Sequence, residues 1–345
     1  MTWFNGTVVS AGDNHSALVI VLIVKFATPY IADWLTYHSL LGCSGVVVIS
    51  NECNLTAHKA LMHAVDHAVQ PPPIWVITKF RCARHFQISA YQYAVYMMRT
   101  RLPWPDRVWA AFFDVDEYLV INERGPRPVN ALLAAAAESQ RAGGVQLIID
   151  QVLFGTSERL THVNGFVPLN YIMRAGCRHH QCNASTDKTH KEHAMHKSMC
   201  RLPNANFPDD WPHACAGRSW TGRDAIRRKP FHLDALVHIN HYWTYSLEEY
   251  ATKTNHSRAD NGRKHNRYDA HVLGTFSDAV DLRLSDTIAE PQWRVLQRMD
   301  RFPAPVQHQV ESRCRTNYSA ACVLHGFPLP QSQQGRYGYL PTLVR

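Results

Sequence analysis

The sequence predicts an α/β fold with a mainly parallel central sheet and helices on both faces. Three observations carry that expectation. Short apolar runs rich in Val and Ile recur through the first half, each of strand length. Segments of helical period alternate with them, and the junctions between the two carry cap and turn residues.

The first strand is "ALVIVLIV", residues 17 to 24. An unbroken apolar run suits a strand covered on both faces, and this one is far shorter than the ~20 residues needed to span a bilayer. "TPYIADWLTYHSLLG" follows as a helix, with Thr28 as its N-cap, Pro29 at its first position and Gly42 as its stop. Its apolar or aromatic residues Ile31, Trp34, Leu35 and Leu41 share one face. "GVVVIS" is the second strand, and a helix from about Thr56 to Gln70 ends at "PPP". "IWVITKF" is the third strand, "FQISAYQYAVYMMR" a helix, and "VWAAFFDVDEYLV" the fourth strand. An Ala-rich helix, "VNALLAAAAESQR", leads to the fifth strand, "GVQLIIDQVLF".

From about 158 to 236 no period is sustained, and Arg, His, Pro and Asn predominate, which predicts long loops around a site. Order returns at "ALVHINHYWTYSLEEYATK", a short strand and then a helix, where Ser246 and Glu249 have the capping-box spacing. The tail, residues 326–345, reads as loosely ordered.

With 345 residues and 46% hydrophobic content, the chain can bury a sizeable core and form one large domain or one and a half. A net charge of +8 suits anionic ligands: nucleotides, phosphates, nucleic acid or an acidic membrane face, the last allowing peripheral membrane association. Basic residues are scattered and not interleaved with aromatics, which ranks nucleic acid last. Nine cysteines leave at least one thiol unpaired. Six N-x-S/T sequons, at Asn5, Asn14, Asn54, Asn183, Asn255 and Asn317, point to a lumenal life, whereas the opening residues lack a signal-peptide pattern. The compartment, cytoplasmic or Golgi-lumenal, stays open.

The fourth strand ends in acidic residues, Asp114, Asp116 and Glu117, where a parallel sheet places its ligand loops. In an extended strand, residues two apart share a face at about 6.6 Å, so Asp114 and Asp116 are expected to point one way and Glu117 the other. Two converging carboxylates can hold Mn²⁺ or Mg²⁺, and such a cation can bridge a diphosphate. The bland alternative is an acidic pair at a solvated strand end. On the first helix Trp34 reads as core, Asp33 as helix surface or as a support behind the ligand contacts, and His38 as either core or a ligand contact. Cys177, His179, His180, Cys182, His190, His193, His196 and Cys200 are too irregularly spaced for structural zinc and suit a loop or a disulfide better.

Taken in order, "KFATPYIADWLTYHSLLGCSGVVVISNE", "FQISAYQYAVYMMR", "WAAFFDVDEYLV", "LIIDQVLFGTSE", "HKSMCRLPN" and "INHYWTYSLEEYATK" resemble the family 92 glycosyltransferases and the related family 2-like group, over roughly residues 17 to 255. The resemblance implies a GT-A fold over residues 1–325, with a nucleotide-sugar half at about 15–120 and an acceptor half at about 121–325. It also implies a Mn²⁺- or Mg²⁺-dependent, inverting transfer of a hexose from a nucleotide sugar, UDP-linked and potentially UDP-galactose, to a glycan or glycoprotein hydroxyl. It assigns metal binding to Asp114 and Asp116, with His241 as the third ligand and His238 as its rival. Donor contacts fall to Asp114, Lys197, Asn51 and Lys25. An inverting transfer needs a carboxylate as general base, and the nearest by sequence are Asp150, at the end of the fifth strand, and Glu158, just beyond "FGTS". The family often has K-N-E after its first strand, where this chain has Lys25, Phe26 and Ala27. Two other readings stand beside it: a metal-dependent hydrolase or phosphotransferase using the same carboxylates, and a glycan or nucleic-acid binder without activity.

Overall fold

The structure, a computed structural model, describes residues 2–3, 16–25, 27–52, 54–68, 74–77, 87–121, 128–141, 146–157, 160–162, 167–171, 173–174, 196–207, 215, 237–255 and 279–280. The elements in chain order are β1 (Thr2–Trp3), β2 (Ala17–Val24), α1 (Thr28–Leu40), β3 (Gly45–Ser50), α2 (Leu55–Asp66), β4 (Ile74–Ile77), α3 (Gln87–Arg101), β5 (Val108–Asp114), β6 (Glu117–Ile121), α4 (Val129–Arg141) and β7 (Gln146–Leu153). They continue as α5 (Val167–Asn170), β8 (Met173–Arg174), β9 (His196–Arg201), β10 (Val237–His241), α6 (Leu247–Asn255) and β11 (Ala279–Val280).

The chain is α/β. Nine strands form one mixed sheet in the order β1-β4-β3-β2-β5-β9-β7-β10-β6. It is parallel through β4-β3-β2-β5 and again between β7 and β10, while β9 runs antiparallel to both its neighbours and β6 antiparallel to β10. The apolar run of β2 is explained by its position inside this sheet. Leu18, Ile20, Leu22 and Val24 pack on one face with residues of α1, α2 and α4, and Val19, Val21 and Ile23 pack on the other with residues of α3.

Local signals set the helix ends. Asn54 caps α2, its side chain accepting from Ala57 N at 2.8 Å. The start of α1 differs from expectation by one residue: Ala27 holds the N-cap position without a side-chain bond, and Pro29 supplies the fixed φ of the first turn. Gly42, at φ 95°, reverses the chain just beyond α1, where a side chain would clash.

The acidic segment is where the structure departs most from the sequence reading. Residues 108–121 do not form one strand. β5 stops at Asp114, Val115 and Asp116 make a turn, and β6 starts at Glu117. β6 then joins the sheet beside β10, four places away from β5. In a flat sheet four inter-strand steps come to roughly 19 Å. The three peptide steps from Asp114 to Glu117 reach at most about 11 Å. The sheet therefore curls until β6 returns beside the end of β5. The sequence reading also missed β9, which lies inside the stretch expected to be loop and fills the gap between β5 and β7.

β6 is an edge strand, and α1 seals its outer edge. Trp34 Nε1 donates to Glu117 O at 2.8 Å, Tyr37 hydroxyl donates to Leu119 O at 2.6 Å, and His38 Nε2 accepts from Leu119 N at 3.3 Å. Each α1 side chain thus meets a backbone group that β10 does not reach. His38 Nδ1 donates to Trp34 O at 2.9 Å, which fixes the neutral tautomer. Burial pushes its pKa down to about 3. His38 is therefore a structural clamp on β6.

Two outcomes test this seal. Tyr37→Phe strips the donor from a buried carbonyl and should cost about 1–3 kcal/mol in urea unfolding; an unchanged midpoint would remove the bond from the account. For His38, the unfolded chain takes up a proton near pH ~6.5 and the folded one does not, so stability falls as pH drops through that value. Between pH ~7.5 and pH ~5 the wild type should lose about 2 kcal/mol more than His38→Gln.

Candidate metal centre

The curl brings five strands together at one place. β5 delivers Asp114, the turn Asp116, β6 Glu117, β9 Lys197, β7 Gln151 and β10 His241. Three ties hold the turn: Asp114 N donates to Glu117 Oε2 at 2.9 Å, Tyr242 N to Asp116 O at 2.8 Å, and Tyr245 hydroxyl to Val115 O at 3.4 Å. Tyr245 itself has φ 50°, a strained value for a residue with a side chain, and stacks on Tyr30 at a centroid distance of 4.4 Å.

Asp116, Glu117 and His241 are all buried, and one ligand atom from each lies within 4.8 Å of the others. Such a group could hold a metal ion. Glu117 faces into it, against the period-2 expectation, because the turn restarts the strand alternation between Asp116 and Glu117. Asp114 lies outside it: its Oδ2 is 2.6 Å from Lys197 Nζ, which also sits 3.3 Å from Glu117 Oε2.

Hydrogen bonding fixes the orientation of the histidine. A carboxylate only accepts, so Gln151 must present its Nε2 to Glu117 Oε1, at 2.5 Å, and its Oε1 to His241 Nδ1, at 3.2 Å. His241 Nδ1 therefore carries a proton, and Nε2 is turned toward Asp116 Oδ2 at 3.6 Å. Two bonds of about 2.1 Å can meet across that gap, so the donor set fits a small cation of mixed oxygen and nitrogen preference. An imidazole whose far nitrogen is tied to an amide oxygen is the arrangement that orients a histidine toward a metal.

Charge in the centre is nearly balanced by lysines. Burial alone would lower the Lys197 pKa, but Asp114 and Glu117 outweigh it and hold the ammonium above its usual range. Burial pushes the Glu117 carboxyl up to about 7, with Lys197 pulling against it and Asp114 adding to it. Both Glu117 oxygens nonetheless accept N–H bonds, an arrangement that suits the ionised form. Burial would also raise Asp116, yet opposite charge, that of Lys253 above all, holds it well below the usual carboxylate range. Lys253 Nζ stands 2.5 Å from Asp116 Oδ2 and donates to Trp243 O at 2.9 Å.

The other sequence candidates are dispersed. Lys25 and Asn51 follow β2 and β3, whose carboxyl ends lie beside that of β5, and Asn51 N donates to Val24 O at 2.9 Å. Asp150 lies within β7, not at its end, paired in register with His196, and it does not join the Asp116–Glu117–His241 group. Glu158 lies outside the described residues, as do the tail and Cys177 to His193 of the Cys/His cluster. Cys200 forms a disulfide with Cys215, and Cys43 is a buried thiol. His238 pairs in register with Val120, three places before His241, and so faces the opposite side of β10. Ser246 and Glu249 form the reciprocal cap that their spacing predicts, Ser246 N donating to Glu249 Oε2 at 3.0 Å and Glu249 N to Ser246 Oγ at 3.3 Å.

Sequence reasoning missed Gln151 and Lys253. Gln151 was visible as a polar residue inside an apolar strand, next to the Asp150 that drew attention instead. Lys253 sits in the helix after the Ser246 cap, with nothing in its spacing to tie it to a carboxylate 137 positions earlier.

Compared with known proteins, the chain matches no family model and no curated protein. Among the described residues, no helix is long and apolar enough to cross a membrane.

Lys197 is the keystone of the buried charges. Lys197→Met leaves Glu117 without its cation and should cost about 3–5 kcal/mol in denaturant unfolding. Adding Glu117→Gln should recover part of that loss; strictly additive costs would mean that the two side chains do not act as a pair.

Proposed function

We propose that this protein is a divalent-metal-dependent glycosyltransferase of GT-A type, moving a hexose from a nucleotide sugar to a hydroxyl of a glycan or glycoprotein. The observation that supports the reading best is the orientation of His241, tied through Nδ1 to Gln151 and presenting Nε2 to the ionised Asp116. Its position beyond the carboxyl end of β5, beside the ends of β2 and β3, is where parallel sheets bind nucleotides. The segments that resemble family 92 and family 2-like transferases supply the choice of reaction.

In this reading Asp116 and His241 hold Mn²⁺ or Mg²⁺, with Glu117 beside them. When bound, the cation neutralises the diphosphate of the donor as it leaves. Gln151 keeps the imidazole in its ligating tautomer, and Lys197 fixes Asp114 toward the donor while staying buried itself. Lys25 and Asn51 border the nucleotide. Asp150, beside Gln151 in β7, faces away from the centre, which leaves Glu158 as the carboxylate to take the proton of the acceptor hydroxyl; the hydroxyl oxygen then bonds to the anomeric carbon as the bond from that carbon to the diphosphate breaks. Attack from the far side inverts the anomeric centre. UDP-linked donors, UDP-galactose first, are the ones to try. The sequons and the Cys200–Cys215 disulfide fit a lumenal setting for such a reaction.

Thermal shift with a panel of nucleoside diphosphates tests the reading. UDP should raise the melting temperature only with Mn²⁺ present, by the equivalent of about 2.7 kcal/mol at a hundredfold excess over Kd. Asp116→Asn should abolish that shift and sugar transfer together. Gln151→Leu should weaken Mn²⁺ about 10–100-fold by releasing the imidazole. Release of UDP from UDP-sugars at an undiminished rate without any acceptor would favour a hydrolase, and an Mn²⁺-independent shift would remove the metal from the scheme.

A further inference from the structure

The Asp116 oxygen that faces His241 is already engaged. Lys253 Nζ lies 2.5 Å from Asp116 Oδ2, and His241 Nε2 approaches the same oxygen at 3.6 Å. A cation bound between Asp116 and His241 would stand against that ammonium, and like charges at such a distance repel strongly where water is scarce. The two lysines of the centre differ in their freedom to respond. The Lys197 side chain is 3% exposed and held by two carboxylates, whereas that of Lys253 is 29% exposed and its second partner is only the Trp243 carbonyl. Lys253 also reaches the site from the last turn of α6, so rotation of its own side-chain torsions can withdraw it without moving the backbone.

We infer that Lys253 is an exchangeable counter-ion: its ammonium neutralises Asp116 while the metal is absent, swings off Asp116 when a divalent cation binds, and then contacts the diphosphate that the cation bridges. This rests on the metal-centre reading above. The exchange keeps the buried carboxylate compensated at every stage, since an ionised Asp116 with neither lysine nor metal beside it would be costly. It also ties the order of events together, because the ammonium becomes available to an anion only after the cation has displaced it. Lys253 is thus a competitor of the metal and a partner of the nucleotide.

Those two roles make opposite demands on one substitution. In Lys253→Met, Mn²⁺ should bind at least about tenfold more tightly than in the wild type, read from the free-ion signal in electron paramagnetic resonance. At saturating Mn²⁺, UDP should bind about tenfold more weakly by calorimetry. Lys253→Gln, which keeps a donor for the Trp243 carbonyl, should show the same split and guards against misfolding of the first variant. A side chain that merely braces α6 would weaken both ligands or neither, and either result overturns the inference. If Mn²⁺ binds the wild type through Asp116 but no more tightly when Lys253 is replaced, the exchange fails and the metal centre stands. If neither the wild type nor the variants bind Mn²⁺, the metal centre fails and the exchange with it.

Discussion

Two residues, Val115 and Asp116, join strands that lie four places apart in one sheet, and that short link dictates the shape of everything around it. A sheet with such a connection has to curl, and once curled it has a concave end into which several strands discharge their side chains. The sheet also needs a filler for the gap between β5 and β7, which β9 supplies from far along the chain, carrying Lys197 with it. The acidic residues are thus not appended to a finished scaffold. They sit on the bend, and the bend is what brings the lysine, the glutamine and the histidine to them.

Placing that much charge out of water sets a second constraint. Three carboxylates converge, and each has an answering group: Lys197 for Asp114 and Glu117, Lys253 for Asp116, Gln151 for the remaining oxygen of Glu117. A single missing partner would leave a buried charge uncompensated, which costs far more than the net gain of any one of these bonds. The network is therefore rigid where it is fully buried and adaptable only at its exposed rim, where Lys253 stands. A binding site needs both properties, a fixed donor set and one group able to give way.

Much of the fold was legible because it rests on local chemistry. The apolar runs became β2, β3 and β7, Asn54 became a cap, and Ser246 and Glu249 closed on each other as their spacing requires. What escaped was non-local. "FFDVDEYLV" reads as one strand because its apolar pattern continues through the turn; only the competing partners β9 and β10 reveal that the chain breaks at Asp114. β9 itself has no periodic signature, since a six-residue strand held on both edges needs none. For the candidate site, Asp116 and His241 were found from sequence and Glu117 was sent to the wrong face, an error that follows directly from treating the turn as strand. For His38 the sequence left both a core and a ligand role open; hydrogen bonds to two backbone groups decide it for the fold.

The sealed edge of β6 also bears on how the protein is made. The seal, α1, leaves the ribosome before β6 does, so Trp34, Tyr37 and His38 are present when Glu117 and Leu119 emerge. The partner on the other side, β10, begins only at Val237, and at common rates of synthesis the intervening stretch takes on the order of 6–23 seconds. Throughout that interval β6 is covered on one edge and open on the other, able to pair with any extended segment nearby. The nascent chain thus carries a half-finished sheet whose closing strand also brings His241, so the moment at which the edge becomes safe from misassociation is the moment at which the Asp116–Glu117–His241 group becomes complete.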